Sequence, residues 1–337
     1  MGGGNRNGSG ERGVSRRGWV LFAAMCLLWG IPYLLIRVAV RQFAPAELVF
    51  LRTGLGALLL LPYAIARREL GLVLRRWRPL LVYVAVEIAA PWLLLSDAER
   101  RLPSSLSGLL IATVPLIGVV VVRVSGRREP VDRRRVAGLS VGLAGVAVLL
   151  GFQVTGGNAG SILEVILVAV GYAIGPVVLA RGLADLPAVA VMGTSLGVAA
   201  LGYTPVGLLQ LPTHWPSAEA IASVCGLGVL CTAAAFVLFF HLVREVGPVR
   251  ATVVTYINPV VAVALGVGLL GEPLTAGMGI GLVLIIVGCA VATRPDRPAG
   301  AGHPVVSRTA VAGRGDRSPT PAGHRSAPTA DRYPSRS

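Results

Sequence analysis

Lysine is missing from this chain altogether: all 31 of its basic residues are arginine. We read that as a GC-rich bacterial coding bias. Charge of either sign is scarce, at 14% of residues, where a soluble domain carries about 25%. Hydrophobic residues make up 54% of the chain and mean hydropathy is +0.72, which excludes an ordinary soluble domain and indicates a membrane protein. Only four cysteines occur, Cys26, Cys225, Cys231 and Cys289, all inside apolar runs. There they behave as small hydrophobes and argue against disulfides. Four scattered histidines have no metal-ligand spacing, and no Walker A motif is present, so neither a metal centre, nor a cofactor, nor an ATPase is indicated. The net charge of +15 would suit nucleic acid, but the arginines sit in loops and the tail, where membrane topology accounts for them.

What the chain does have is apolar runs. About 20 apolar residues cross the hydrocarbon core as a helix, and backbone in lipid must pair internally. Ten spans are expected, at about 19–40, 46–66, 79–97, 104–124, 133–151, 160–181, 188–208, 219–242, 248–270 and 274–293. Residues 1–17 read as a disordered head and 294–337, rich in Pro, Gly, Ser and Arg, as a disordered cytoplasmic tail. Arg16-Arg17 before an apolar run is similar to an export signal, but the run is too long, so it reads as an uncleaved first helix.

The chain repeats itself. Pro115 precedes Pro259 by 144 residues, Glu129-Pro130 precede Glu272-Pro273 by 143, and Pro32 precedes Pro176 by 144. The copies span 18–151 and 152–293. With the N-terminus in the cytoplasm, 26 of the 31 arginines fall in cytoplasmic segments, the bias that sets orientation. Both termini are then cytoplasmic. Five spans per copy put the second copy into the membrane upside down, the inverted repeat of secondary transporters. The fold class expected is all-α integral membrane, ten transmembrane helices as two inverted five-helix repeats.

Small residues four apart recur at Gly138/Gly142, Gly171/Gly175, Gly193/Gly197 and Gly277/Gly281. They suit close helix packing, within the bundle in preference to a homodimer. Gly266-x-Gly268-x-x-Gly271 fits the dinucleotide fingerprint as a string but follows no strand, so it reads as helix packing.

One stretch is more specific than hydrophobicity. A threonine in TAAAFVLFF, then VGPVRATVVTYINPVVAV, then GEPLTAGMGIGLVLIIVGC resembles the signature of EamA-type transporters of the drug/metabolite transporter superfamily. LWGIPYLLIRVAV is similar to the family's opening helix. The resemblance implies a carrier in a bacterial plasma membrane. It would move a small metabolite, amino-acid-like compound or drug, usually outward, by alternating access without ATP. The alternative is an integral-membrane enzyme acting on lipid or isoprenoid substrates, for which the short loops offer no acid/base set.

Polar groups deep in the spans are costly and mark candidate sites. Glu87 lies about eight residues into its span, or about 12 Å deep at ~1.5 Å per residue, and Arg52 about as deep from the other side. They are expected at one level, either as a buried ion pair or as part of a site. The expected substrate cavity is lined by Trp29, Tyr33, Arg52, Glu87, Tyr172, Thr232, Tyr256 and Asn258. Protons are the expected coupling ion, relayed by Glu87. Glu47, Glu164 and Glu219 read as interfacial groups in reach of water, and Glu129 and Glu272 as helix-start punctuation.

Overall fold

The computed structural model describes residues 15–125, 133–153, 158–247, 251 and 253–292. Residues 1–14 of the head expected to be disordered (1–17) and the whole of the expected tail (294–337) lie outside these, whereas Ser15, Arg16 and Arg17 form the cap and start of a helix. All the regular structure among the described residues is helical. Seven helices are long and apolar enough to cross a membrane: α1 (Arg16–Ala39), α2 (Pro45–Ala66), α3 (Trp77–Ala98), α4 (Ser104–Val124), α6 (Ala159–Gly182), α7 (Ala188–Leu209) and α8 (Ala218–Val246). Three further apolar helices are α5 (Arg133–Gln153), α9 (Val254–Leu270) and α10 (Ala276–Ala292), whose apolar parts run to 17 residues at most.

Local chemistry sets the ends. Ser15 and Ser217 accept backbone N–H groups of Gly18 and Ala220, at 3.0 and 3.2 Å, as N-caps of α1 and α8. Pro45 opens α2, and the Glu47 carboxylate reaches back to the Ala44 N–H at 3.2 Å. Glu47 is 1% exposed; tied to its own helix start, it does not reach water as expected. Helix α9 stops at Gly271, whose φ of 65° suits glycine.

Helix α5 packs on α10, α2 on α7 and α4 on α9, while α1 lies against α8 and α9, and α6 against α3 and α4. The pattern survives exchanging each helix for the one five places along. Glycine seams permit the closest of these contacts. A Cβ on Gly145 would sit 2.9 Å from the Ile285 nitrogen, and one on Gly281 3.1 Å from the Gly145 carbonyl. Gly193 and Gly197 meet Leu60 and Leu61 in the same way. Gly138, Gly142, Gly171, Gly175, Gly193, Gly197 and Gly281 are therefore used inside the bundle, as expected. Of the fingerprint-like string, Gly266 makes room for Ser104 and Glu272, and Gly271 ends a helix.

Hydrogen bonds between connections sort them into two ends. At one end Ser15 meets Glu245 (2.6 Å), Arg76 forks onto Asp185 (2.7 Å), and Arg181 donates to the Ser125 carbonyl (2.6 Å). At the other, Gln42 and Ser217 exchange bonds of 2.8 and 2.7 Å, Arg101 reaches Ser161 (3.3 Å), and Glu272 holds Ser104 and Ser105. Successive connections alternate between the two sets.

The prolines do not mark both copies alike. The helical pattern is interrupted for one residue at Ile31, before Pro32, and tightens to i→i+3 bonds at Ala112-Thr113, before Pro115, while the backbone stays right-handed helical at all three. Pro176 and Pro259 lie within unbroken helices. Instead, α3 and α8 carry matching π-helical segments, Val84–Ala89 and Gly226–Ala234. Such insertions are frequent at functional sites.

Candidate functional site

Arg52 is the centre of the polar interior. It projects from α2 and is 7% exposed. Its guanidinium carbon lies 3.6 Å from the ring centroid of Trp92 on α3. Its Nε donates to Thr232 Oγ1 on α8 at 3.0 Å. A cation over an indole is worth about 2 kcal/mol or more when desolvated. Thr232 is positioned by the π segment: its hydroxyl donates to the Leu227 carbonyl, five residues back, at 2.8 Å, leaving its lone pairs to accept from arginine. Glycines let α2 and α8 come this close. A Cβ on Gly56 would sit 3.2 Å from Thr232 Cγ2, and one on Gly228 3.3 Å from the Arg52 carbonyl.

Tyr33 and Tyr172 share the electrostatic surroundings of Arg52. Tyr33 belongs to the core built around α1 and α4, and Tyr172 packs against both that core and the one around α2, α3 and α7. Four of the expected lining residues, Tyr33, Arg52, Tyr172 and Thr232, are thus drawn from α1, α2, α6 and α8 into one group. Trp92 completes it. Sequence reasoning passed over Trp92, although a tryptophan directly after Pro91 in a span was a usable signal.

The expected ion pair does not form. Among the described residues no carboxylate lies within 4 Å of Arg52, and Glu87 makes no salt bridge. Glu87 sits in the π segment of α3 and its carboxylate lies over Gly175 of α6, where any Cβ would collide with it. Its Oε2 is buried without a hydrogen-bond partner. The extra residue per turn rotates Glu87 toward α6, away from the line that depth alone suggested. It stays in electrostatic reach of Tyr172 and Tyr83.

Trp29 belongs elsewhere. It packs on Phe239 with ring centroids 4.7 Å apart and meets Phe236 edge-on at 6.0 Å, against a third core cluster. Asn258 and Tyr256 lie on α9; Asn258 Oδ1 is buried with no hydrogen-bond partner among the described residues, and the Asn258 backbone carbonyl closes on Gly30 of α1. Tyr256 packs against the α1/α4 core. Among the described residues Trp29 and Asn258 make no hydrogen bond or ring contact with Arg52, Trp92 or Thr232, whereas Tyr256 shares its core with Tyr33.

A second polar group lies at the end where α3 turns into α4. Glu99 there is fully buried, with both carboxylate oxygens unpartnered. Glu272 is not mere punctuation. It accepts from the Ser104 N–H (2.7 Å), the Ser104 hydroxyl (2.9 Å) and the Ser105 N–H (2.9 Å), capping a helix 168 residues away in sequence. Pro103 at that helix's N-cap position has no side chain able to do so. Burial alone would raise the Glu272 carboxyl, but the hydrogen bonds from Ser105 and Ser104 outweigh it and hold it below the usual carboxylate range.

Comparison with known proteins agrees with this architecture. The model of the EamA-like transporter family matches twice, over residues 16–151 and 160–294. The uncharacterized inner membrane transporter YedA of Escherichia coli (strain K12) is 29% identical over 278 residues, covering 80% of this chain and 88% of its own. The uncharacterized transporter YvbV of Bacillus subtilis (strain 168) is 27% identical, covering 82% and 91%. A crystal structure 24% identical in sequence superposes with a TM-score of 0.61 over 82% of this chain and supports the fold. A chain with two such repeats, paired glycine seams and this buried polar interior belongs to the EamA-like transporter family.

Proposed function

We propose that this protein is a secondary transporter of a bacterial inner membrane, with ten spans arranged as two inverted five-helix repeats. The alternation of connections between two ends and the exchange-symmetric helix contacts support that arrangement. So do the relatives named as transporters, one of them of an inner membrane. Both termini lie in the cytoplasm, and a small organic substrate crosses by rocking of one repeat against the other, coupled to protons.

The observation that carries the substrate reading is Arg52. It is a buried guanidinium held by an aromatic face and a hydroxyl, and among the described residues no carboxylate forms a salt bridge with it. A buried charge left so is costly, and a substrate carboxylate would offset that cost through the paired N–H groups that Nε does not use. Tyr33, Tyr172 and Thr232 would enclose and orient the rest, with Glu87 facing the same interior. Trp29, Tyr256 and Asn258, on α1 and α9, would line the rest of that cavity.

A panel of carboxylated, neutral and cationic metabolites tested by thermal shift on purified protein checks this. Carboxylated compounds should stabilise the wild type, by about 2.7 kcal/mol at a concentration 100 times Kd, and the gain should vanish in Arg52→Gln. Compounds that stabilise should then be carried into proteoliposomes. Stabilisation by cations alone, or unchanged in Arg52→Gln, overturns the reading.

A further inference from the structure

Glu99 is the feature that the transport reading leaves unused. It is the first residue after α3, one position before exposed Arg100, yet it is itself 0% exposed. Arg37, which reaches this loop, donates to the Glu99 backbone carbonyl and not to its carboxylate. Among the described residues neither oxygen of Glu99 has a hydrogen-bond partner, nor has the hydroxyl of Ser107. Ser107 lies close enough to favour the charged form without completing a hydrogen bond. No cation forms a salt bridge with Glu99 among the described residues. A carboxylate with two vacant oxygens, sealed from water, is strongly disfavoured as an anion.

We infer that Glu99 binds and releases the coupling proton, at the end of the bundle opposite Ser15 and Arg76. The assignment rests on the transport reading for the word coupling, but the protonation itself does not. The neutral acid supplies an O–H donor, and Ser107 beside it can then act as acceptor. Release is within reach because the next two residues, Arg100 and Arg101, are at the surface.

The groups around Glu99 fit a titrating site and not an inert one. Burial and the neighbouring Glu272 push its carboxyl well above the usual range, while Arg37, Arg52 and Ser107 pull it down. Tyr33 and Tyr172 feel its charge. Arg52 ties the proton to the substrate group. With Glu99 charged, part of the Arg52 field is already answered; with Glu99 neutral, an anion at Arg52 meets less competition. Proton and anion therefore favour each other, a reciprocal linkage. Glu87, the other buried carboxyl near Tyr172, lies within α3 against Gly175 of α6 and not at the end of the helix where Glu99 sits.

Infrared difference spectroscopy of the protein in lipid, titrated with pH, reads protonated carboxyls directly and needs no substrate. The wild type should keep a protonated carboxyl at neutral pH that Glu99→Gln lacks, while Glu87→Gln retains it. Glu99→Asp should move that band without deleting it and serves if the glutamine variant does not accumulate. Glu272→Gln should let the proton leave at lower pH, and Arg37→Gln at higher pH. A carboxyl spectrum unchanged by both substitutions of Glu99, or a Glu99 ionised at neutral pH, overturns the assignment whether or not the protein transports. Transport by Glu99→Gln with an unaltered response to a pH gradient overturns the coupling and leaves the carrier reading standing.

Discussion

At the scale of single residues, two neighbouring carboxyls are set to respond to pH in opposite directions. The Glu272 carboxyl is held below its ordinary value of 4.5. Its hydrogen bonds therefore stabilise the fold fully above that value, and the contribution is lost as pH falls through the folded pKa. Glu99 is shifted up, so the folded state holds its proton where the unfolded chain has lost it. Stability from this group falls as pH rises above the ordinary carboxylate range. Thermal melts in detergent should show Glu272→Gln less stable than wild type at neutral pH, by about 1.5–3 kcal/mol for a charge-assisted hydrogen bond, with the gap closing in acid. Glu99→Gln should be as stable as wild type or more so at neutral pH, with the difference closing below the ordinary carboxylate range. A wider Glu272 gap in acid would show that the cap is not ionic. Neither role was legible in sequence. Glu99 reads as one more charge in SDAERRLP, because burial of a loop residue depends on what other loops cover it. The cap was closer to legible. Pro103 before Ser104-Ser105 leaves a helix start with no acceptor of its own, and that lack asks for an outside carboxylate.

At the scale of elements, hydrophobic length and arginine punctuation placed the helices well. The first began three residues earlier than expected; of the ninth, expected from 248, residues 248–250 and 252 lie outside the described residues. What periodicity could not reveal was phase. The π segments Val84–Ala89 and Gly226–Ala234 each shift the face presented below them, which is why Glu87 turns to Gly175 and Thr232 turns to Arg52. Pro91 contributes by removing an N–H from the turn that follows. Two glycines of α6 separate the structural from the functional demand on this contact. A Cβ on Gly171 would strike the Val86 carbonyl and come within 3.0 Å of Pro91 Cγ, atoms that cannot yield. Gly171→Ala should cost about 1–3 kcal/mol, the range for overpacking, read as a lower melting temperature or reduced accumulation. The three atoms nearest a Cβ on Gly175 all belong to the Glu87 side chain, the carboxylate first, and that end can swing aside. Gly175→Ala should lose less stability than Gly171→Ala while displacing the carboxylate, and should alter transport or its pH dependence. Equal destabilisation by both would mean that Glu87 is locked in place and has no freedom to serve a moving site.

At the scale of the whole molecule, the repeat was visible in the offsets of Pro115/Pro259 and Glu129/Glu272, but its consequences were only partly so. Equivalent prolines do different things: in the first copy the helical hydrogen-bond pattern falters at Ile31 and Ala112-Thr113, with the backbone still helical, while the second runs unbroken through Pro176 and Pro259. An alternating-access carrier needs its two copies to differ in any one state, since one end must be closed while the other opens. The closure by Glu272 on Ser104 and Ser105 has its sequence counterpart in Glu129, which lies outside the described residues. Topology tests the arrangement as a whole. Connections at the Ser15/Arg76/Arg181 end carry most of the arginine outside the tail, and those at the Gln42/Ser217/Glu272 end little. Positive charge stays cytoplasmic, so reporter fusions at Arg75, Arg133 and the C-terminus should read internal, and those at Gly157 and Thr213 external. Arg133 and Gly157 flank α5, whose apolar part is short for a span. They are the decisive pair. If both report the same side, α5 does not cross, the second copy enters in the same sense as the first, and the inverted repeat fails even though every helix is in place.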